Sequence, residues 1–154
     1  MHLSDFLDFD AIKTSLSGGS KKTLLQQLAN SAGQRLELDS AGILASLSER
    51  EQLGSTGFGH GVAIPHGKVE GMKRIYCQFA RLAEPLDYKA IDGRPVDLVF
   101  LLLSPPDAGA EHLKALAAIS RVTRHAATLE KMRGARSRDA LAAVLMAADE
   151  RDAA

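Results

Sequence analysis

The stretch VDLVFLLL, residues 96–103, restricts the fold more than any other part of this sequence. From residue 98 to residue 103 every side chain is large and apolar, which is typical of a β-strand buried on both faces. The run is much shorter than the ~20 apolar residues that a membrane-spanning helix needs. We therefore expect a central strand that is covered on both sides, and no insertion into a membrane.

Segments with helical periodicity occur before and after this strand. Ser20 and Asp39 are candidate N-caps for two helices that precede it. A third helix is predicted over residues 111–124, a short one near residues 129–132, and a last one capped by Ser137. The predicted buried faces are Leu24, Leu25, Leu28, Ala29 and Ala32 in the first helix, and Leu113, Leu116, Ala117, Ser120 and either Val122 or Thr123 in the third.

Two further strands are predicted at residues 62–64 and 75–82. Because helices and strands alternate, the sequence predicts an α/β fold with a mixed β-sheet flanked by helices on both faces. A chain of 154 residues suits a single domain, over residues 1–154, with a sizeable core. We expect residues 148–154 to form a frayed C-terminal tail.

Charge and composition argue against several classes of function. Lys plus Arg number 19 and Asp plus Glu number 19, so the formal net charge is zero and no overall basic field favours nucleic acid. Aromatic residues make up 5% of the chain, which is few for stacking platforms on single-stranded nucleic acid. Cys77 is the only cysteine, and the N-terminal residues lack a signal-peptide pattern. We expect a cytoplasmic protein that binds no nucleic acid.

The glycine-rich stretch GFGHGVAIPHGKVEG, residues 57–71, contains His60 and His66. Both the P-loop and the dinucleotide-binding fingerprint would require a glycine at position 62, where a valine stands. A metal site is not favoured, because no pair among His60, His66, His112 and His125 has the i, i+4 spacing of a helical zinc motif. We therefore expect neither a cofactor nor a metal ion.

His66 stands between Pro65 and Gly67, at the end of the apolar segment 62–64. Pro65 fixes its own φ and keeps the preceding residue extended, while Gly67 places no side chain beside the imidazole. A loop histidine can simply be satisfied by nearby carbonyls. An imidazole that is presented rigidly, and that a bulky partner or a phosphate can approach, instead suits a nucleophile that carries a phosphoryl group.

The stretch EREQLGSTGFGHGVAIPHGK, residues 49–68, closely resembles the signature of enzyme IIA domains of the bacterial phosphoenolpyruvate-dependent phosphotransferase system (PTS), of the mannitol/fructose/nitrogen-regulatory type. The resemblance continues through IDGRPVDLVFLLLSP and EHLKALAAISR, and so covers nearly the whole chain. In that family the histidine of the A-I-P-H-G motif accepts the phosphoryl group. The resemblance thus implies that His66 is the acceptor, through its Nε2 atom, with Arg50 and His112 as supporting residues.

The candidate supporting residues each have an alternative role. Arg50 offers a planar fork of donors suited to phosphate, or is a solvated surface arginine. His112 lies near a helix N-terminus, where free N–H groups favour an anion, or is a capping histidine. Ser55 and Thr56 could donate hydroxyl hydrogen bonds to phosphate or could stabilise a turn. His60 departs from the asparagine that nitrogen-regulatory members often carry there, and we interpret it as loop variation.

The resemblance implies phosphohistidine relay rather than turnover of a small-molecule substrate, with a histidine-containing phosphocarrier protein as donor. The chain has neither an IIB-like cysteine motif nor a membrane domain, so it is most like the stand-alone nitrogen-regulatory enzyme IIA. In that branch the phosphorylation state regulates partners such as potassium-transport and sensor-kinase proteins. The alternative is an enzyme IIA subunit of a fructose/mannitol-type sugar permease that passes phosphate to a IIB domain. A metal- or ligand-binding module is the third hypothesis.

Overall fold

The apolar run forms the central strand of a six-stranded mixed sheet in the computed structural model, which describes residues 1–153. The strands lie in the order β1-β5-β6-β3-β2, and β4 also pairs with β6. β5 runs antiparallel to β6, whereas β3 and β4 run parallel to it. In chain order the strands are β1 (Lys13–Leu16), β2 (Gly57–Gly59), β3 (Val62–Ala63), β4 (His66–Lys68), β5 (Tyr76–Leu86) and β6 (Val96–Ser104).

Helices cover both faces of this sheet, which confirms the predicted α/β class. The five helices are α1 (Lys21–Leu36), α2 (Ser40–Leu53), α3 (Gly109–Thr123), α4 (Ala126–Gly134) and α5 (Arg138–Ala153). α1 and α2 pack on one face, and the other three helices pack on the opposite face. Two 3₁₀ turns, Leu3–Asp5 and Phe9–Ala11, precede β1. None of the helices within residues 1–153 has both the length and the apolarity to cross a bilayer.

The side chains of β6 divide alternately between two hydrophobic cores. Those at even positions from 98 to 102 lie in the core built with α3, α4 and α5. Those at odd positions from 99 to 103 lie in the core built with α1 and α2. All six are fully buried, and burying a side chain of this size stabilises the fold by roughly 1.5–3 kcal/mol. The prediction of a strand buried on both faces is therefore confirmed.

The predicted N-caps of three helices are also confirmed. The Ser20 hydroxyl accepts a hydrogen bond from the backbone N–H three residues further on, at 3.1 Å. The Asp39 carboxylate accepts a hydrogen bond from the backbone N–H of Ala41 at 3.1 Å. The Ser137 hydroxyl accepts one from the backbone N–H of Ala140 at 3.0 Å. Each cap satisfies a backbone donor that the first turn of a helix otherwise leaves unpaired.

The buried face of α3 differs from the predicted one. The exposed fraction of Leu113 is 67%, although it was expected to face inward. The prediction placed the larger apolar side chains, such as Leu113, against the sheet. In the structure Ala115 and Ala118 lie at the contact, and their small side chains allow the helix to approach the sheet closely. The same rotation about the helix axis turns His112 inward. The buried residues of α3 are His112, Ala115, Ala118, Ile119 and Val122.

α5 continues through the residues that were expected to fray. The helix extends to Ala153, and the carboxylate of Asp149 is buried. Its two oxygens accept hydrogen bonds from the backbone N–H of Leu3, at 2.7 Å, and of Ser4, at 3.3 Å. Residues 148–153 are helical in the structure, and this carboxylate ties the last helix to the start of the chain, while fraying of the tail stays a prediction. Residue 154 lies outside the described residues.

Gly67 brings α2 against β4. A Cβ atom at this position would collide with the Ser46 hydroxyl and would lie 3.2 Å from the Ser46 Cβ atom. The same hydroxyl donates a hydrogen bond to the Lys68 carbonyl at 2.7 Å, which joins helix and strand. The space expected to admit a partner or a phosphate is thus occupied by α2. Close packing, rather than access to the imidazole, accounts for the glycine.

Replacing Gly67 with alanine should therefore destabilise the protein by about 1–3 kcal/mol, because neither α2 nor β4 can move without disturbing the core. The matched control is Gly42→Ala in α2, the helix that packs against Gly67. A Cβ atom added at Gly42 meets no atom within 4 Å. That variant should be more stable than the parent by up to about 1 kcal/mol, since alanine favours helix. Denaturant unfolding of both variants measures the difference.

A Gly67→Ala protein as stable as the parent would contradict this account of the contact. Adding Ser46→Gly to Gly67→Ala should recover part of the lost stability, because it removes the hydroxyl and the Cβ atom that the new methyl group meets.

Candidate functional site

The predicted acceptor and its two supporting residues lie in one cleft of about 370 Å³. His66 begins β4, Arg50 lies in the last turn of α2, and His112 lies in the first turns of α3. The pairing of β4 with β6 places His66 opposite Leu102, near the end of the central strand. The cleft is lined by Ser46, Glu49, Arg50, Leu53, His66, Gly67, Lys68 and His112.

The imidazole of His66 is held in one tautomer. Its Nδ1 atom lies 2.7 Å from the carbonyl oxygen of Ile64, and a carbonyl can only accept a hydrogen bond. Nδ1 therefore carries the proton, and in the neutral ring Nε2 has a free lone pair. No hydrogen bond within residues 1–153 engages Nε2. His66 as a whole is 8% exposed and lines the cleft, so Nε2 is the ring nitrogen left without a protein partner there.

Burial lowers the pKa of His66 below its ordinary value. The hydrogen bond to Ile64 opposes that shift, and the positive charge of Arg50 reinforces it. The imidazole is consequently neutral at pH 7, which is the protonation state that a nucleophile requires.

His112 lies beside this ring, with the two ring centroids 5.4 Å apart and the ring planes inclined at 50°. Its Nδ1 atom is 2.6 Å from the hydroxyl of Ser104, the last residue of β6. Burial, followed by the nearby His66 and Lys68, lowers the pKa of His112 to about 4. This histidine is therefore also neutral at pH 7. Its partner Ser104 was not predicted as a site residue, because in the sequence it only ends the apolar run.

The guanidinium of Arg50 is fixed by the chain that follows its helix. One of its nitrogens, Nη1, donates a hydrogen bond to the Gly54 carbonyl at 2.9 Å. No other acceptor within residues 1–153 binds this guanidinium, so its remaining donors are available to a ligand. A cation is also favourable in the last turn of a helix, where the helix dipole is negative.

Ser55 and Thr56 do not face the cleft. Thr56 is fully buried, and its hydroxyl contacts the carboxylate of Glu51 and the hydroxyl of Tyr88. The Ser55 hydroxyl accepts a hydrogen bond from the backbone N–H of Gly57 at 3.1 Å. Of the two alternatives for this pair, the structure favours stabilisation of the turn over contact with phosphate.

A buried ionic network beside Arg50 was missed by the sequence reasoning. The Glu51 carboxylate binds the ammonium of Lys21 at 2.6 Å and the Tyr88 hydroxyl at 2.9 Å, and it also contacts Thr56. Burial acts to raise the pKa of Glu51, but the hydrogen bonds from these three partners outweigh burial and leave the pKa below its ordinary value. An acidic residue at a helix C-terminus opposes the helix dipole, and that conflict was the available signal that Glu51 needed partners. The network anchors the end of α2, and so the backbone that carries Arg50.

His60 lies outside the cleft of His66. Its φ is +57°, a left-handed conformation in which histidine and asparagine are enriched. Its backbone N–H donates to Asp92 at 2.9 Å, and its carbonyl accepts from Arg133 at 2.6 Å. This position agrees with the interpretation of His60 as loop variation.

Comparison with known proteins gives matches over most of the chain. The model of the family described as phosphoenolpyruvate-dependent sugar phosphotransferase system, EIIA 2, matches residues 5–148. A nitrogen regulatory protein of Bradyrhizobium diazoefficiens is 45% identical over 145 residues, which cover 94% of this chain and 95% of that protein. A PTS system fructose-specific EIIA component of Haloferax volcanii is 39% identical over 121 residues, which cover 79% of this chain and 77% of that protein.

A solved structure shows the same architecture. The crystal structure of the nitrogen regulatory protein IIA-Ntr from Neisseria meningitidis superposes with a TM-score of 0.87 at 35% sequence identity. The superposition covers 93% of this chain and 98% of that chain. These similarities confirm the resemblance that residues 49–68 indicate.

The low pKa of His112 should make the protein less stable in mild acid. Its pKa is about 4 in the folded chain and ordinarily about 6.5 in an unfolded one. Between these values the unfolded chain takes up a proton that the folded chain resists, so the free energy of unfolding falls as the pH drops from 6.5 towards 4. The loss grows as the pH falls towards 4, and above pH 6.5 it vanishes.

Unfolding curves of the parent and of His112→Gln between pH 4 and pH 8 test this expectation. Glutamine can still bond to Ser104 but does not titrate, so the variant should show the smaller loss of stability in acid. Parallel stability curves for the two proteins would contradict the assigned pKa. Carboxylates that titrate in the same range are common to both proteins and cancel in the difference.

Proposed function

The chain belongs to the EIIA 2 family of the phosphoenolpyruvate-dependent sugar phosphotransferase system, and from this premise we propose that His66 accepts a phosphoryl group from a histidine-containing phosphocarrier protein. The observation that carries the proposal is the free Nε2 atom of a neutral His66, in a cleft that Arg50 and His112 also line. The state of His66 then regulates partner proteins. Support for this regulatory role comes from the relatives named nitrogen regulatory proteins.

The proposed transfer moves one phosphoryl group between two imidazoles. The lone pair of His66 Nε2 attacks phosphorus in line with the bond to the donor histidine. The new P–N bond forms as the old one breaks, and the leaving electron pair returns to the donor nitrogen. Nδ1 of His66 keeps its proton and its hydrogen bond to the Ile64 carbonyl throughout. No proton needs to leave the His66 ring for the bond to form.

Arg50 and His112 supply the electrostatic part of the mechanism. The free donors of Arg50 can bind two phosphoryl oxygens at once, which a lysine ammonium cannot do with the same geometry. The Ser104 hydroxyl can donate to or accept from Nδ1; in the tautomer in which it donates, neutral His112 carries its proton on Nε2 and can donate it to a third oxygen. Both groups are held by their own partners before phosphate arrives, so little reorganisation accompanies the transfer.

The surroundings of the cleft suit a protein donor. Leu53 lines the cleft with an exposed fraction of 82%, and Leu113, which follows His112, is 67% exposed. Each of these leucines exposes apolar surface that a docked protein could remove from water. A docked phosphocarrier would cover both leucines and exclude water from the reacting groups.

The targets proposed for the regulatory role are potassium-transport and sensor-kinase proteins, as the resemblance to the nitrogen-regulatory branch implies. A second candidate is a sugar-permease subunit that passes phosphate to a IIB domain. Its support is the 39% identity to a PTS system fructose-specific EIIA component. The third hypothesis, a metal-binding module, has less support: across residues 1–153 no three His, Cys, Asp or Glu side chains cluster as a metal site requires.

Phosphotransfer should fail completely in His66→Ala and slow in Arg50→Lys. Alanine removes the nucleophile, so incubation with the phosphorylated carrier should leave the protein mass unchanged. Arg50→Lys keeps the charge but loses the planar fork, and the rate should fall roughly 10- to 1,000-fold, the scale of losing a transition-state donor. Intact-mass spectrometry over time measures both effects.

His60→Ala is the matched control for these variants, because His60 lies outside the cleft and should label at the parental rate. The label on the parent should be lost in acid and retained in base, as for a phosphoramidate. Labelling of His66→Ala at the parental rate would exclude His66 as the acceptor. Parental labelling of Arg50→Lys would return Arg50 to a surface role.

Phosphorylation should release a regulatory partner rather than refold the domain. The phosphoryl group adds about −1.5 to −2 charge, by analogy with other phospho-residues, and Arg50 neutralises only part of it. A partner that buries this face would then cover an incompletely paired anion, which costs several kcal/mol and hence orders of magnitude in affinity. Calorimetric titration of a partner retrieved from cell extract, with each form of the protein, measures the change.

Tight binding of the unphosphorylated form alone supports the regulatory proposal, and His66→Ala should behave as that form does. Equal affinity of both forms for every retrieved partner would overturn it and would favour the permease alternative, in which the domain only passes phosphate on.

A further inference from the structure

A second cleft, of about 470 Å³, shares no lining residue with the cleft of His66. It lies between the turn that joins β2 to β3, the residues around the start of β6, and α4. Arg94, Arg124 and Arg133 line it, and we call it the arginine cleft. The phosphotransfer mechanism uses none of these three arginines.

Arg133 is a rigid donor in this cleft. Its Nε and Nη2 atoms bind the two carboxylate oxygens of Asp97 at 2.8 and 2.9 Å, and Nη2 also donates to the His60 carbonyl at 2.6 Å. These bonds fix the plane of the guanidinium. They leave Nη1 without an acceptor among residues 1–153, so a ligand would find this donor already oriented.

The other two arginines have donors to spare. Within residues 1–153 no acceptor lies within hydrogen-bond distance of either guanidinium; the carboxylate of Asp92 is 4.0 Å from Nε of Arg94. Arg124 directly follows the last residue of α3, and Ala126 begins α4 two residues later. The backbone N–H of Ala126 also has no acceptor in the described chain, and it stands at the positive end of the α4 dipole.

Positive charge is concentrated in this part of a chain that has no net charge. Residues 121–138 contain six Arg and Lys side chains and one acidic side chain, Glu130. Within the cleft Asp97 is neutralised by Arg133, so the charges of Arg94 and Arg124 are opposed by Glu130 and, at 4.0 Å from Arg94, by Asp92 outside the lining. The cleft therefore attracts anions.

We propose that the arginine cleft binds a small molecule that bears a phosphate or pyrophosphate group. Guanidinium forks match phosphate oxygens in pairs, and the cleft volume lies in the range of small-molecule sites, roughly 300–1,000 Å³. Pro85, Pro95 and Leu129 give it apolar walls against which the rest of the ligand can pack. The site is separate from His66, so the proposal stands or falls independently of phosphotransfer.

The test is a titration of the ¹⁵N-labelled protein with inorganic pyrophosphate, followed by amide and arginine side-chain NMR signals. Saturable shifts are expected at residues 124–130 and at the side chains of Arg94 and Arg133. Arg124→Gln should weaken the affinity at these signals about tenfold or more, because it removes a charged donor. Glu130→Gln should strengthen it severalfold, because it removes the opposing charge.

Arg136→Gln is the matched control, because it removes the same charge from an exposed position that does not line the cleft. Its affinity should stay within about twofold of the parent, whereas a purely long-range charge effect would weaken both arginine variants alike. The proposal is overturned if Arg136→Gln weakens binding as much as Arg124→Gln does. It is also overturned if the shifts are confined to residues 49–68 and 112, which would place the anion only at His66.

Discussion

The burial of β6 on both faces is the constraint on which the rest of this structure depends. Its alternate side chains enter two separate cores, so neither layer of helices can be removed without exposing half of the strand to water. Its two edges are also occupied, by β5 on one side and by β3 and β4 on the other, which satisfies the backbone polar groups that burial would otherwise leave unpaired. The positions of the two site histidines follow from this strand. β4 places His66 beside its end, and Ser104, its last residue, holds His112.

The electrostatics of the cleft follow from the same burial. Two imidazoles packed 5.4 Å apart and largely removed from water are both kept neutral. The charge of Arg50 lowers the pKa of His66 further, so the group suited to bind a phosphoryl oxygen also favours the nucleophilic form of the imidazole. The Ile64 carbonyl then determines which nitrogen carries the proton. Burial and the charge of Arg50 keep the His66 ring neutral, and the Ile64 carbonyl keeps its proton on Nδ1. Together they leave Nε2 with a free lone pair.

Charge in this protein is balanced overall but unevenly distributed. A net charge of zero argues against a uniform basic field, yet it says nothing about where individual charges lie. The fold gathers some of them into the buried Glu51 network that anchors α2. It gathers others into the arginine cleft, where Asp97 orients Arg133, while the guanidinium groups of Arg94 and Arg124 have no hydrogen-bond acceptor in the described part of the chain. The net charge of the sequence therefore predicts neither the Glu51 network nor the arginine cleft.

The sequence by itself determined the class of the fold and was sufficient to propose His66 as the acceptor histidine. Local signals suffice for these: a continuous apolar run, capping residues such as Ser20, and a motif that presents His66 between Pro65 and Gly67. Other features needed the tertiary structure, because they depend on contacts between segments that are distant in the chain. Periodicity did not show which face of α3 is buried, since Ala115 and Ala118 pack against elements the helix alone cannot specify. A glycine is needed at position 67 because the side chain of Ser46 occupies the space beside it. The C-terminal helix is anchored by hydrogen bonds from the first residues of the chain to the carboxylate of Asp149. A single sequence records which residues are present, whereas only the packed chain decides which of them meet.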